Sequence, residues 1–210
     1  MKQIHAHTWP DAPTSGKEWL NAGNADQLHV VDYDAVICHA GAVVAIQKQL
    51  EEHVVAWLRK LVPELGTFDQ TIYSPGRTAM KRWTAAELLE VVADAGPTWL
   101  ASDVLELLGV YWPAHAKQLR AAMAGPGFSG VSVKPNSVPA LHVDEGHRVL
   151  VVLRSGATQG GELALPELGV RLAVPDATLV LLDGANWAHG TTPLTIGPGG
   201  GSRTACVLWP

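Results

Sequence analysis

The sequence predicts an α+β protein in which a helical N-terminal half, residues 1–125, packs against and supports a double-sheet β core, residues 126–210, of sandwich, barrel or jelly-roll type. Three observations carry this. Apolar residues recur at helical spacing between Gly41 and Val62. From Gly127 onward the chain reads instead as short β-type runs broken by Gly and Pro, with no helical period between them. The length of 210 residues suits a single domain with one core.

In the first half, Val43, Val44, Ile46, Leu50, Val54, Trp57, Leu58 and Leu61 fall on one helical face, and Pro63 ends the run. An amphipathic helix is therefore expected over 41–62. Thr84 followed by Glu87 has the form of a capping box, and Leu88, Leu89, Val91 and Val92 carry a second helix to Gly96-Pro97. Shorter helices are expected from Ser102 to Leu108 and from Pro113 to Ala124, the latter with Pro in its first turn. The β half supplies FSGVSV, VPALHV, RVLVVL, GELAL, GVRLAV, TLVLL and TACVLW as strands. The glycine-rich GPGGGS, 197–202, is expected to be flexible.

Composition narrows the class of protein. A hydrophobic content of 47% with 17% charged residues describes a chain that folds rather than one that stays disordered. Most of the eight Trp are expected in the core. A net charge of -5, with neither half basic, argues against non-specific coating of nucleic acid, which takes clustered Lys and Arg. One local exception is Arg77, Lys81 and Arg82 beside Tyr73 and Trp83, which reads either as a phosphate-contacting loop or as an ordinary solvated turn. Cys38 and Cys206 form no paired motif, so neither a disulfide framework nor a thiolate zinc site is indicated and a reducing cytoplasm is the expected home. No apolar run approaches the ~18 residues that span a bilayer. The opening MKQIHAHTWPDAP has no apolar stretch of the signal-peptide kind.

The chemistry concentrates late in the chain. In LHVDEGHRVL, His142 and Asp144 alternate with Val143, so on a strand they share one face. They are either half a metal site or the polar rim of a strand. Two ligands hold an ion poorly, and the third candidate is His189 in DGANWAHGTTP. Two imidazoles and one carboxylate with the opposite positions open form the 2-His-1-carboxylate triad of non-haem Fe(II) oxygenases. His147 falls on the other face of the strand, and Glu145 is expected to face solvent or to orient a ligand histidine. His5 and His7 have the spacing of a pair but no third partner, while Asp183 and Asn186 suit a turn.

The His142-Val143-Asp144 motif, the later His189 and Arg203, and Gly160-Gly161-Glu162-Leu163 between them occur in the order of the Fe(II)/2-oxoglutarate-dependent dioxygenases, which this chain resembles over 127–209. The resemblance implies a double-stranded β-helix (jelly-roll) core. It implies that His142, Asp144 and His189 are the catalytic iron ligands and that the Arg203 guanidinium takes the distal carboxylate of 2-oxoglutarate. O₂ and 2-oxoglutarate are then consumed, succinate is released, and the substrate is hydroxylated. Many members carry Ser two positions after the arginine where this chain has Ala205, so Thr204, Ser132 or Lys134 is left to supply the second contact.

GGELALPELGV together with the HGxxP around His189 resembles the TET/JBP-like branch and its phage-type relatives, which oxidise the 5-methyl group of 5-methylcytosine or thymine in DNA. That implies a DNA partner with one base flipped into the pocket, no membrane, no obligate protein partner, and a cytoplasmic setting inside a bacterial or phage-infected cell. Two other readings stand beside it. The acidic balance favours a 2-oxoglutarate-dependent hydroxylase of a small molecule, amino acid or peptide side chain, and a cupin-like metal-binding domain without turnover is the third.

Overall fold

A computed structural model describes residues 1–9, 11–66, 73–74, 77–78, 82–84, 96–114, 116–117, 130–144, 146 and 148–209. In chain order the elements are β1 (Lys2–His5), α1 (Glu18–Asn21), a 3-10 turn (Asn24–Gln27), β2 (His29–Val31), β3 (Ala35–His39), β4 (Ala42–Gln49), α2 (Glu52–Gly66), β5 (Tyr73–Ser74), β6 (Arg77–Thr78), β7 (Arg82–Thr84), α3 (Gly96–Tyr111), β8 (Gly130–Pro135), β9 (Arg148–Gly160), β10 (Leu163–Leu165), a 3-10 turn (Pro166–Leu168), β11 (Val170–Leu172), β12 (Thr178–Leu182), β13 (Gly190–Thr191) and β14 (Leu194–Trp209). They fall into two compact units. The first comprises Met1–Gln49 and Asn136–Thr204, the second Leu50–Pro135 and Ala205–Pro210.

The first unit is a β-sandwich. One sheet runs β1-β3-β4-β12-β9-β14 and the other β13-β10-β11-β2. Strand β12 is TLVLL, central in its sheet between β4 and β9 and buried throughout; a strand covered on both faces reads as a continuous apolar run. Between the sheets, Ile37, Val44, Val152, Val180 and Leu182 of the larger one meet Val31, Leu163, Leu165, Val170 and Leu172 of the smaller. Removing any one of these to Ala costs about 2–5 kcal/mol where the cavity does not collapse. The outer face of the smaller sheet is covered by α1 and the turn after it, through Leu20, Ala25 and Leu28 on Leu141 and Ala164.

The expectation of a helical N-terminal half is overturned. Residues 1–49 contribute four strands and a single turn of α-helix, so both ends of the chain build the sandwich. Residues 42–49, expected as the start of a helix, form β4, which sits between β3 and β12 with Val44 to Gln47 buried. The cause is that VVAI is a contiguous, largely β-branched run that a central strand buries on both faces, and over so short a window it mimics helical spacing. The chain enters β4 through Ala40 and Gly41, both at positive φ, as a two-residue hairpin turn requires. Buried Gln47 makes a polar tie in this core: its amide N–H groups donate to the Val31 and Tyr33 carbonyls, and its Oε1 accepts from the Val174 N–H.

In the second unit, α2 begins only at Glu52 and continues through Pro63 to Gly66. Thr84 is the last residue of strand β7, and residues 85–95, on which the expected helix falls, lie outside the described residues. Ser102–Leu108 falls inside the longer α3. At 113–124, the Ala116 N–H donates to the Trp112 carbonyl, while most of that stretch also lies outside.

Two further expectations change in the β half. GPGGGS is part of strand β14, not a free segment. Its glycines let β14 approach β9 closely, since a Cβ at Gly197 would meet Ala157 Cβ at 2.8 Å and one at Gly201 would meet the Ala157 carbonyl oxygen at 2.9 Å. VPALHV forms only the single bridges Gly16↔Leu141 and His142↔His189. Cys38 and Cys206 are both buried free thiols, and burial pushes Cys206 up to about 12. Among the described residues no helix is long and apolar enough to cross a membrane.

Candidate metal centre

Strand parity decides where the two histidines point. Ala164 pairs with Gly190 on the smaller sheet, and Ala164 and Leu141 lie against Leu20 on its outer face. A Cβ at Gly190 would meet Leu20 Cδ1 at 2.9 Å, so that residue faces outward too. The neighbours of these outward residues, His189 and His142, therefore turn inward, as Leu163 and Leu165 do in β10. His142 and His189 are locked to each other by a reciprocal backbone pair, at 3.0 and 2.9 Å. Asp144 is fixed by its own N–H, which donates to the Gly184 carbonyl at 2.8 Å.

The three side chains converge. Asp144 Oδ1 lies 3.8 Å from His142 Nε2, and Asp144 Oδ2 lies 3.2 Å from His189 Nε2. One ligand atom from each of the three lies within 4.8 Å of the others, and no further group of three His, Cys, Asp or Glu among the described residues does the same. Two ligands about 2.1 Å from one ion and at right angles are ~3 Å apart, so the spacing suits shared coordination. Both imidazoles are set in the tautomer a ligand needs. His142 Nδ1 donates to the Ala140 carbonyl at 2.7 Å and His189 Nδ1 to the Trp187 carbonyl at 3.1 Å, which leaves each Nε2 lone pair facing Asp144. Exposure is graded: the His142 side chain is 43% accessible, Asp144 18% and His189 8%. His142 is therefore the most accessible of the three side chains.

Arg203 projects from β14 and is 2% exposed. Its Nε has no hydrogen-bond partner, Nη1 reaches the Ser137 carbonyl only at 3.5 Å, and no carboxylate among the described residues pairs with it. Burial, and then the nearby Arg154 guanidinium, pushes its pKa down to about 10. A buried cation without a counter-charge is costly, and a carboxylate ligand is the group that relieves it. The strand is anchored at this point because Arg203 N–H donates to Asn136 Oδ1 and its carbonyl accepts from the Asn136 N–H. The double glycine explains itself here. Gly160 and Gly161 are at positive φ, a Cβ on Gly160 would meet the Pro193 carbonyl oxygen at 2.0 Å, and one on Gly161 would meet Arg203 Cδ at 2.6 Å. Arg154 pins the same turn through the Gly160 and Gly161 carbonyls.

The remaining candidates scatter. Thr204 is buried on β14, but as the next residue after Arg203 it takes the other face. Lys134 is half-buried on β8, and the side chain of Ser132 lies outside what the structure describes. Lys81 lies outside the described residues, and for Arg77 and Arg82 only the backbone, in β6 and β7, is described. Glu145 and His147 also lie outside. His5 and His7 are exposed and join no cluster among the described residues. Asn186 Nδ2 donates to both oxygens of Asp183, bracing the turn whose Gly184 carbonyl holds Asp144. The residues that sequence reasoning missed are the supporting ones, Asn136, Arg154 and Glu167. Asn136 and Glu167 act on backbone groups far away in the chain, and Arg154 on carbonyls of the neighbouring turn as well as on those of Ala173 and Val174, so no local motif marks them.

Residues 114–209 match the family described as the CMD1/TET dioxygenase C-terminal domain. Among solved structures, the chain is similar to NgTET1 in complex with 5mC DNA, with a TM-score of 0.64, 12% identity, and coverage of 85% of this chain and 76% of that one. It is also similar to the viral collagen prolyl hydroxylase of Paramecium bursaria Chlorella virus-1, with a TM-score of 0.47, 13% identity, and coverage of 79% and 94%. A third is an oxidoreductase of the 2OG-Fe(II) oxygenase family from Burkholderia pseudomallei, with a TM-score of 0.42, 16% identity, and coverage of 78% and 82%. No curated protein matches at significant sequence similarity.

Proposed function

We propose that this chain, whose residues 114–209 match the CMD1/TET dioxygenase C-terminal domain, is an Fe(II)- and 2-oxoglutarate-dependent dioxygenase that oxidises the 5-methyl group of a pyrimidine base in DNA, 5-methylcytosine or thymine, to the hydroxymethyl form. The observation that carries the chemistry is the inward-facing cluster of His142, Asp144 and His189 in a sandwich that also buries Arg203 with no carboxylate partner among the described residues. His142, Asp144 and His189 would hold Fe(II), whose donor set of two imidazole nitrogens and a carboxylate is the one non-haem oxygenases use. Arg203 would hold the distal carboxylate of 2-oxoglutarate. When bound, iron and 2-oxoglutarate together supply O₂ activation for hydroxylating a C–H bond, with succinate and CO₂ as co-products.

The residues of the chain do the rest by positioning. Asp144 places one carboxylate oxygen toward each imidazole, and the reciprocal backbone pair between His142 and His189 keeps both rings on one side of the sheet. Leu163, Leu165 and Leu182 keep the interior between the sheets dry and strengthen the electrostatic hold on charged ligands. Support for the DNA substrate comes from the match to the CMD1/TET domain and from the likeness in fold to a TET protein solved with 5mC DNA. The net charge of -5 favours a second reading, hydroxylation of a small molecule or a peptide side chain. Mass spectrometry of nucleosides from methylated DNA, after incubation with Fe(II), 2-oxoglutarate and O₂, separates the two. The first reading expects hydroxymethylated pyrimidine to appear. Unchanged 5-methylcytosine and thymine, in a reaction that still releases succinate, would leave the second.

A further inference from the structure

The peptide group between Trp187 and Ala188 is gripped at both ends. Its carbonyl accepts the proton of His189 Nδ1 at 3.1 Å, and its N–H donates to Glu167 Oε2 at 2.8 Å. The result is a continuous path from the Glu167 carboxylate, through one amide, to the imidazole whose Nε2 faces Asp144. Hydrogen bonds in such a chain polarise one another, and a bond to an ionised acceptor is about twice as strong as a neutral one. An anion at the amide N–H draws negative charge onto the carbonyl oxygen. That oxygen then holds the Nδ1 proton more strongly and leaves Nε2 a better donor to a metal.

Glu167 is well placed to do this. It lies in the 3-10 turn between β10 and β11, flanked by the fully buried Leu165 and Leu168, and its own carbonyl accepts the Trp9 N–H at 2.7 Å. The Trp187 ring is held edge-on against His39, with centroids 5.1 Å apart. His142 has the same arrangement without the charge. Its Nδ1 donates to the Ala140 carbonyl, and the N–H of that peptide, from Leu141, donates to the neutral carbonyl of Gly16.

We propose that Glu167 is a positioning residue for the metal centre, its carboxylate acting through the Trp187–Ala188 peptide to orient His189 and raise that ligand's hold on the ion. The proposal rests on the reading of His142, Asp144 and His189 as iron ligands. Glu167→Gln keeps an acceptor for the Ala188 N–H and removes only the charge. Competition of Co(II) against a chelator should show affinity ~10-fold weaker in Glu167→Gln, the lower end of the effect of losing such a supporting partner. In the metal-free protein the proton resonance of His189 Nδ1–H should move upfield.

Because Glu167→Gln can also loosen the fold, the same substitution is made in a His189→Ala background. There it should leave residual Co(II) affinity unchanged, since no imidazole remains for the path to act on. Equal losses in both backgrounds, or a Glu167→Gln protein with wild-type affinity and an unshifted resonance, would reduce Glu167 to a brace for the loop. Asp144→Ala is the separate control. If it binds Co(II) as tightly as the wild type, the ligand assignment fails, whatever Glu167 does.

Discussion

Arg203→Met should stabilise the protein without ligand and abolish its response to 2-oxoglutarate. The guanidinium is 2% exposed, has an orphaned Nε, and has no carboxylate partner among the described residues. Burial, and then the Arg154 guanidinium, pushes its pKa down to about 10 in the folded protein. At ~1.4 kcal/mol per tenfold change in proton affinity, the charged form costs roughly 3 kcal/mol in the folded state. The sign follows from the depressed pKa: the penalty is whole at every pH below about 10 and fades only as pH rises above that value. At neutral pH it is therefore fully present. Methionine keeps the apolar stem beside Gly161 and removes the charge, and such replacements of buried ions typically gain ~1–4 kcal/mol. Urea denaturation with Mn(II) in place of Fe(II), with and without 2-oxoglutarate, measures both effects. The wild type should gain about 2.7 kcal/mol at a 2-oxoglutarate concentration one hundred times its Kd, and Arg203→Met should gain nothing. A variant less stable than the wild type in the absence of 2-oxoglutarate, or one with an undiminished response to it, would refute the reasoning.

Gly160→Ala should lose about 2–3 kcal/mol of stability, because a positive φ and the Pro193 carbonyl both oppose a Cβ there; chemical denaturation reads this directly. Gly161→Ala pushes on Arg203 Cδ, so it should raise the 2-oxoglutarate concentration needed for half-maximal turnover more than the metal concentration needed. Gln47→Leu leaves the Val174 N–H without its partner inside the core and should lower stability by about 1–3 kcal/mol, with metal affinity unchanged, as thermal denaturation and metal titration would show.

The candidate metal site was more legible than the scaffold that carries it. His142, Asp144, His189 and Arg203 stand out because their chemistry is tied to residue type and order, and strands such as RVLVVL and TLVLL announce themselves by β-branched runs. The N-terminal strands did not. β4 is buried on both faces, so its apolar run carries no period of two, and the real helix α2 follows only two residues later, which merges the two into one helical pattern. Glu167 was invisible for a different reason. Its partner is a backbone N–H twenty-one residues away, and only the pairing of β10 with β11 and β13 brings them together.

Succinate release from 2-oxoglutarate, measured with Fe(II), O₂ and ascorbate for the wild type and for Asp144→Ala, tests the central claim most directly. Sustained release by the wild type and background release by Asp144→Ala is the expected result, because the Asp144 carboxylate faces both imidazoles. Equal release by the two proteins, or none by the wild type when metal binding is intact, would contradict it.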